Sequence, residues 1–123
     1  MPTITTMTQE QADAYVRDWM DAWNSHDVDR IAAHYRDDVE YHSPFVARLT
    51  PDGCISGRED LRAYVANGLH RYPDLNFGSA IAVGVGAGSI SMLYNSVENL
   101  VAMETLVFDE NGLVARAYCH YHE

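Results

Sequence analysis

The sequence predicts an α+β domain in which helices pack on one face of a curved, mainly antiparallel sheet. Three observations carry this. Apolar residues recur at helical spacing through the first half, the period changes to two after Tyr72-Pro73, and the links between the later runs are short enough to be hairpins. The resulting order of helix, helix, strand, helix and four consecutive strands keeps the two kinds of element apart, which is the α+β pattern.

The first helix starts at Thr8-Gln9-Glu10-Gln11, a capping box in which the Thr8 hydroxyl accepts from the N3 amide and Gln11 reaches back to the cap. Ala12, Tyr15, Val16, Trp19 and Trp23 then recur at three- and four-residue spacing, a broad aromatic stripe on one face. Asn24-Ser25-His26 breaks that pattern, and Asp27 caps a shorter helix carrying Ile31, Ala32 and Tyr35 inward. Val39, Tyr41 and Ser43 alternate with Glu40 and His42 before Pro44, a short strand stopped by the missing donor of proline. Phe45 to Ile55, with Pro51 and Asp52-Gly53, reads as loop.

Ser56-Gly57-Arg58-Glu59 reads as a second capping box, opening a third helix with Leu61, Tyr64, Val65 and Leu69 on one face until Tyr72-Pro73. Strands follow at Ile81–Val85, Ile90–Tyr94, Leu100–Phe108 and Leu113–His122. Gly86-Ala87-Gly88, Asn95 to Asn99 and Asp109-Glu110-Asn111-Gly112 supply the turns between them.

At 123 residues the chain fits a single domain, 1–123, because two ordinary cores would each need roughly 100 residues. Eighteen acidic against eight basic residues give a net charge of −10, which repels nucleic-acid backbones and anionic lipid. Met1-Pro2-Thr3-Ile4-Thr5-Thr6 lacks a basic start and long apolar core, and no run approaches the ~18 apolar residues of a membrane span, so a cytoplasmic protein is expected. Cys54 and Cys119, in segments of different character, are expected as reduced thiols.

Trp23-Asn24-Ser25-His26-Asp27, Tyr35-Arg36-Asp37-Asp38-Val39, Ser43-Pro44-Phe45, Gly57-Arg58-Glu59-Asp60-Leu61, Pro73-Asp74-Leu75, Phe108-Asp109-Glu110-Asn111-Gly112 and His120-Tyr121 fall in an order that resembles the SnoaL-like branch of the NTF2-like superfamily. The resemblance implies a cone of three N-terminal helices on the sheet, enclosing one pocket for a small, mostly apolar molecule, in a homodimer without metal or organic cofactor. Polyketide cyclases, ketosteroid isomerases and non-catalytic modules share this fold, so the chemistry has to be argued from the site.

Ketosteroid isomerases use a carboxylate base, a helical phenol and a neutral carboxylic acid. Laid against that pattern, the base position falls on Ser43, whose hydroxyl is no base near neutral pH, and the phenol falls near Trp19, with Tyr15 one turn earlier. The acid position falls on Glu104. The period-two rule groups Glu104 with Ala102, Leu106 and Phe108, which favours an inward side chain and a carboxyl pKa raised by desolvation, although a one-residue slip would turn it outward.

His120 and Tyr94 are the expected partners of that carboxyl, and a His120–Glu104 couple would serve acid/base catalysis. Tyr15, Trp19, Tyr41, Ser43, Tyr94 and Tyr121 are expected to line the pocket, with Trp19 turned toward it and Trp23 in the packed end. Three further patterns are set aside. His120 and His122 share a strand face but lack a third and fourth ligand. His42 and Ser43 are adjacent on a strand, so they face opposite ways. Gly84 to Ser89 superficially resembles a dinucleotide loop but precedes no helix. Two functions remain open: a proton-transferring isomerase or cyclase acting on a small apolar or ketone-containing substrate, and a non-catalytic ligand-binding or dimerisation module.

Overall fold

A computed structural model describes residues 5–123; residues 1–4, part of the segment read for a leader, lie outside it. The chain runs α1 (Gln9–Ser25), α2 (Val28–Ala32), β1 (Tyr35–His42), β2 (Cys54–Ser56), α3 (Arg58–Arg71), β3 (Ala82–Gly86), β4 (Ser89–Asn95), β5 (Val101–Phe108) and β6 (Val114–His122), with 3-10 turns at Val46–Arg48 and Val97–Asn99. The strands form one six-stranded sheet in the order β2-β1-β6-β5-β4-β3. Every pairing is antiparallel except β1 with β6. Two helices precede the sheet and the third follows β2, so the helices are not all N-terminal to the strands.

The capping box of α1 forms as the sequence implies: Thr8 Oγ1 accepts from the Gln11 amide at 3.1 Å, and Gln11 Oε1 accepts from the Thr8 amide at 2.9 Å. At the other end His26 takes a left-handed conformation, φ 60°, and its amide donates to the Trp23 carbonyl. The Asp27 carboxylate then accepts from the amides of Asp29 and Arg30, capping α2. Asn24 and His26 also reach sideways. Asn24 Oδ1 accepts from the Phe77 amide at 2.8 Å and His26 Nε2 lies 2.8 Å from the Leu75 carbonyl oxygen, so the C-terminal end of α1 and its cap hold the loop after α3 in place.

Three local readings are corrected. Tyr35 is the first residue of β1 rather than part of α2, because it pairs with Val114 of β6; its i+4 spacing from Ile31 misled. The Phe45–Ile55 segment is not all loop, since β2 adds an edge to β1 with Cys54 opposite His42. Ser56 does not cap α3. It is held in the sheet opposite Glu40, the Gly57 amide donates to the Val39 carbonyl at 2.8 Å, and Gly57 makes the turn at φ 95°, a conformation open to glycine.

One face of the sheet carries the core. Ile90, Met92 and Tyr94 of β4, Ala102, Glu104 and Leu106 of β5, Ala117 and Cys119 of β6, and Val39 and Tyr41 of β1 are all buried. The stripe of α1, from Ala12 through Val16 and Trp19 to Trp23, covers them together with Leu61, Val65 and Leu69 of α3. No helix among the described residues is long and apolar enough to cross a membrane.

Candidate functional site

The helices and the sheet leave a cavity of about 530 Å³ between α3 and the inner face. Aromatic side chains are the largest group in its walls, among them Trp23 from α1, Tyr41 from β1, Tyr64 from α3, Phe77 from the loop that Asn24 and His26 hold, Tyr94 from β4 and Tyr121 from β6, while Arg48, His70 and Arg71 also line it. Rings pack in series behind them, with Phe77 against Tyr94 at 4.8 Å and Trp19 against Tyr94 at 5.5 Å between centroids. A volume of this size suits one small organic molecule, and the rings suit a mostly apolar body with polar groups that the remaining wall residues can meet.

The polar centre of the inner face is Glu104. It is 1% exposed, and Tyr94 donates to its Oε1 at 2.7 Å while Oε2 has no hydrogen-bond partner. Burial pushes the carboxyl up to about 7, against the opposing influence of the Tyr94 hydroxyl and the Cys119 thiol, its cross-strand neighbour. Tyr94 itself is pushed up by burial and then by the Glu104 charge, so at neutral pH it keeps its proton and remains a donor. Glu104 is thus joined to the cavity through a lining phenol.

The other expected residues divide. Tyr41, Tyr94 and Tyr121 line the cavity. Ser43 is buried at the end of β1; its Oγ accepts from the Phe45 amide at 3.2 Å, and its hydroxyl favours ionisation of the Tyr64 and Tyr121 phenols, both of which burial nevertheless raises, Tyr64 to about 12. Tyr15 is half-buried against Phe108, with centroids 4.9 Å apart, away from the cavity walls, and its buried hydroxyl has no partner.

The two tryptophans exchange the places expected of them. Trp19 is 1% exposed and its indole donates to the Tyr35 hydroxyl at 3.2 Å, inside the core, whereas Trp23 lines the cavity with its indole nitrogen buried and unpartnered. One turn of helix separates them, and their rings pack against each other with centroids 5.7 Å apart.

His120 does not meet Glu104. Glu104 stands opposite Cys119 in the β5–β6 register, and His120, one residue on, points to the outer face, where it is exposed and its Nδ1 lies 3.3 Å from the Met103 carbonyl oxygen. The His–Glu couple is therefore absent from the structure. Trp23, Tyr64, Leu75 and Phe77 are wall residues that the sequence reading did not assign to the pocket. Tyr64 was visible as part of the α3 stripe; Phe77 carries no periodic signal at all.

A helix-covered sheet with an aromatic-lined cavity and, among the described residues, the buried Glu104 carboxyl behind its wall defines a pocket protein of the NTF2-like class. Residues 16–88 match the SnoaL-like domain. The structure superposes on a SnoaL-like protein of unknown function from Burkholderia thailandensis at TM-score 0.91 and 35% identity, covering 97% of this chain and 100% of that one. The chain belongs to the SnoaL-like family. It is also similar to a candidate ketosteroid isomerase from Kribbella flavida, at 25% identity and TM-score 0.68 over 93% of this chain and 79% of that one. A protein of unknown function with a cystatin-like fold from Methylobium petroleophilum shares the fold, at 15% identity and TM-score 0.74 over 97% and 80% of the two chains. A comparison with curated proteins gives no match.

Proposed function

We propose that this protein binds a small, mostly apolar, ketone-containing molecule in the aromatic cavity and isomerises or cyclises it by proton transfer, without a cofactor. The observation that carries the reading is the Tyr94–Glu104 pair, one member on the cavity wall and the other fully buried behind it. A substrate carbonyl at the Tyr94 hydroxyl accepts a hydrogen bond, and protonated Glu104 can donate to Tyr94 in turn. Negative charge developing on the substrate oxygen is then met by this donor chain, with the Tyr94 proton turned from Glu104 Oε1 to the substrate. A carboxyl brought up to about 7 is half protonated near neutral pH, where general acid–base catalysis is most effective.

Ser43 favours a second reading, a non-catalytic binding module of the same fold, because a hydroxyl stands where the isomerase pattern has its base. The two readings separate once native mass spectrometry has identified the occupant. Glu104→Gln, which keeps an acceptor for Tyr94, is expected to abolish turnover while ligand binding persists; full activity in the variant would overturn the catalytic assignment. A carboxyl titrating near the ordinary ~4.3 in NMR would remove its physical basis.

The free Cys54 and Cys119 thiols support a cytoplasmic location, where they stay reduced. Exposed apolar side chains such as Ile81 and Met103, 56% and 42% exposed, support a homodimer that covers them. Sedimentation at micromolar concentration tests the dimer.

A further inference from the structure

On the sheet face opposite the cavity, β1 and β2 bring together three side chains that are far less close in sequence. Glu40 and His42 are two residues apart on β1 and share the outer face, and Cys54 of β2 stands directly across from His42. His42 Nε2 lies 3.8 Å from Glu40 Oε1 and 3.7 Å from Cys54 Sγ, and the three ligand atoms all lie within 4.8 Å of one another. We propose that Glu40, His42 and Cys54 form a site for a zinc-type divalent cation.

The spacing is close to what such an ion requires. With Zn–S about 2.3 Å, Zn–N about 2.05 Å and a tetrahedral angle, nitrogen and sulfur ligands stand roughly 3.6 Å apart, and nitrogen and oxygen roughly 3.4 Å. The two distances from His42 exceed these by no more than a few tenths of an ångström, and the third pair, Glu40 with Cys54, lies within 4.8 Å, where rotation of the exposed Glu40 side chain can bring its carboxylate in. The His42 ring is already oriented, since it stacks on Tyr118 with centroids 4.9 Å apart and planes 9° apart. Behind Cys54, the Asp52 carboxylate accepts from the Cys54 amide at 3.2 Å and from the Thr50 hydroxyl at 3.1 Å, fixing the turn and adding negative charge beside the three ligands.

Ligand chemistry chooses the metal. A thiolate with an imidazole and a carboxylate suits a borderline-soft ion such as Zn²⁺, whereas Ca²⁺ and Mg²⁺ take oxygen sets. The Cys54 thiol loses its proton to solvent as the ion binds. Glu40 is exposed and His42 and Cys54 are half-exposed, so water or another small ligand takes the fourth position. The site lies across the sheet from Glu104 and does not depend on the function proposed for the cavity.

Cobalt titration of the full chain, stripped with a chelator and held reduced, tests it. One Co²⁺ per chain is expected, with a thiolate-to-cobalt charge-transfer absorption that Zn²⁺ displaces. Cys54→Ser removes the absorption, and His42→Ala and Glu40→Gln each weaken binding by about tenfold or more. Far-UV circular dichroism is expected to be unchanged in all three, as the side chains lie at the surface. An absorption that fails to develop at stoichiometric Co²⁺, that survives Cys54→Ser, or an affinity unaltered in both His42→Ala and Glu40→Gln, overturns the site.

Discussion

The two faces of the β5–β6 hairpin are built from alternate residues of the same two strands, yet they differ in almost every physical respect. Inward stand Ala102, Glu104, Leu106, Ala117 and Cys119, all buried; outward stand Met103, Arg116, His120 and His122, all exposed. Glu104 and His120 are separated by one step of register, which is enough to keep them on opposite sides of the sheet. The same carboxyl that would be an ordinary surface charge outside is, inside, pushed up to about 7 by burial. Identity of side chain matters less here than parity.

Substitutions on the two faces should separate widely. Leu106→Ala, at a fully buried inner position, is expected to lower stability by about 3 kcal/mol in urea denaturation; a loss under about 1 kcal/mol would mean the inner face repacks freely. Glu104 gives a comparable effect that depends on pH. Its folded pKa lies above the unfolded value, so the neutral form is the one folding favours: stability is greatest below about 4.5 and falls as pH rises through about 7. At 1.36 kcal/mol per unit the swing is about 3 kcal/mol. Denaturation at pH 5 and pH 8 should show this decline in the native protein and lack it in Glu104→Gln; equal slopes in the two proteins would contradict the buried-acid assignment. The smallest effect belongs outside. His120→Ala removes an exposed imidazole and should alter stability by no more than about 0.5 kcal/mol, leaving the NMR titration of Glu104 where it was.

The fold was largely legible because its local signals agree. Thr8 with Gln11, Asp27 and the Ala12–Trp23 stripe mark helices through hydrogen bonds and periodicity that need no tertiary context. Where the sequence misled, a distant partner had decided the outcome. Tyr35 keeps helical spacing from Ile31 but is claimed by β6, Ser56 has the chemistry of a cap but is claimed by β1, and a strand as short as Cys54–Ser56 has no period to detect. The candidate site divides along the same line. Glu104 was found because its apolar neighbours lie two residues away on the same strand. The exchange of Trp19 and Trp23 and the outward turn of His120 depend on where the helix crosses the sheet and on the β5–β6 register, and the grouping of Cys54 with Glu40 and His42 depends on the β1–β2 register. None of these is written locally.

The single parallel pairing sets the order in which the molecule can be made. β6 lies between β1 and β5, so the first strand of the sheet has one neighbour, the short β2, until the last strand is available. During synthesis α1, α2 and the β1–β2 ribbon emerge early with one edge of β1 unpaired, and the sheet can close only after residues 114–122 have left the ribosome. Joining β1 to β6 means closing a loop that contains most of the chain, which places folding on the slow side for a domain of this size. The nascent chain therefore passes through a stage in which one edge of β1 awaits its backbone partner, and that interval is the one in which a chaperone would find an open strand edge to hold.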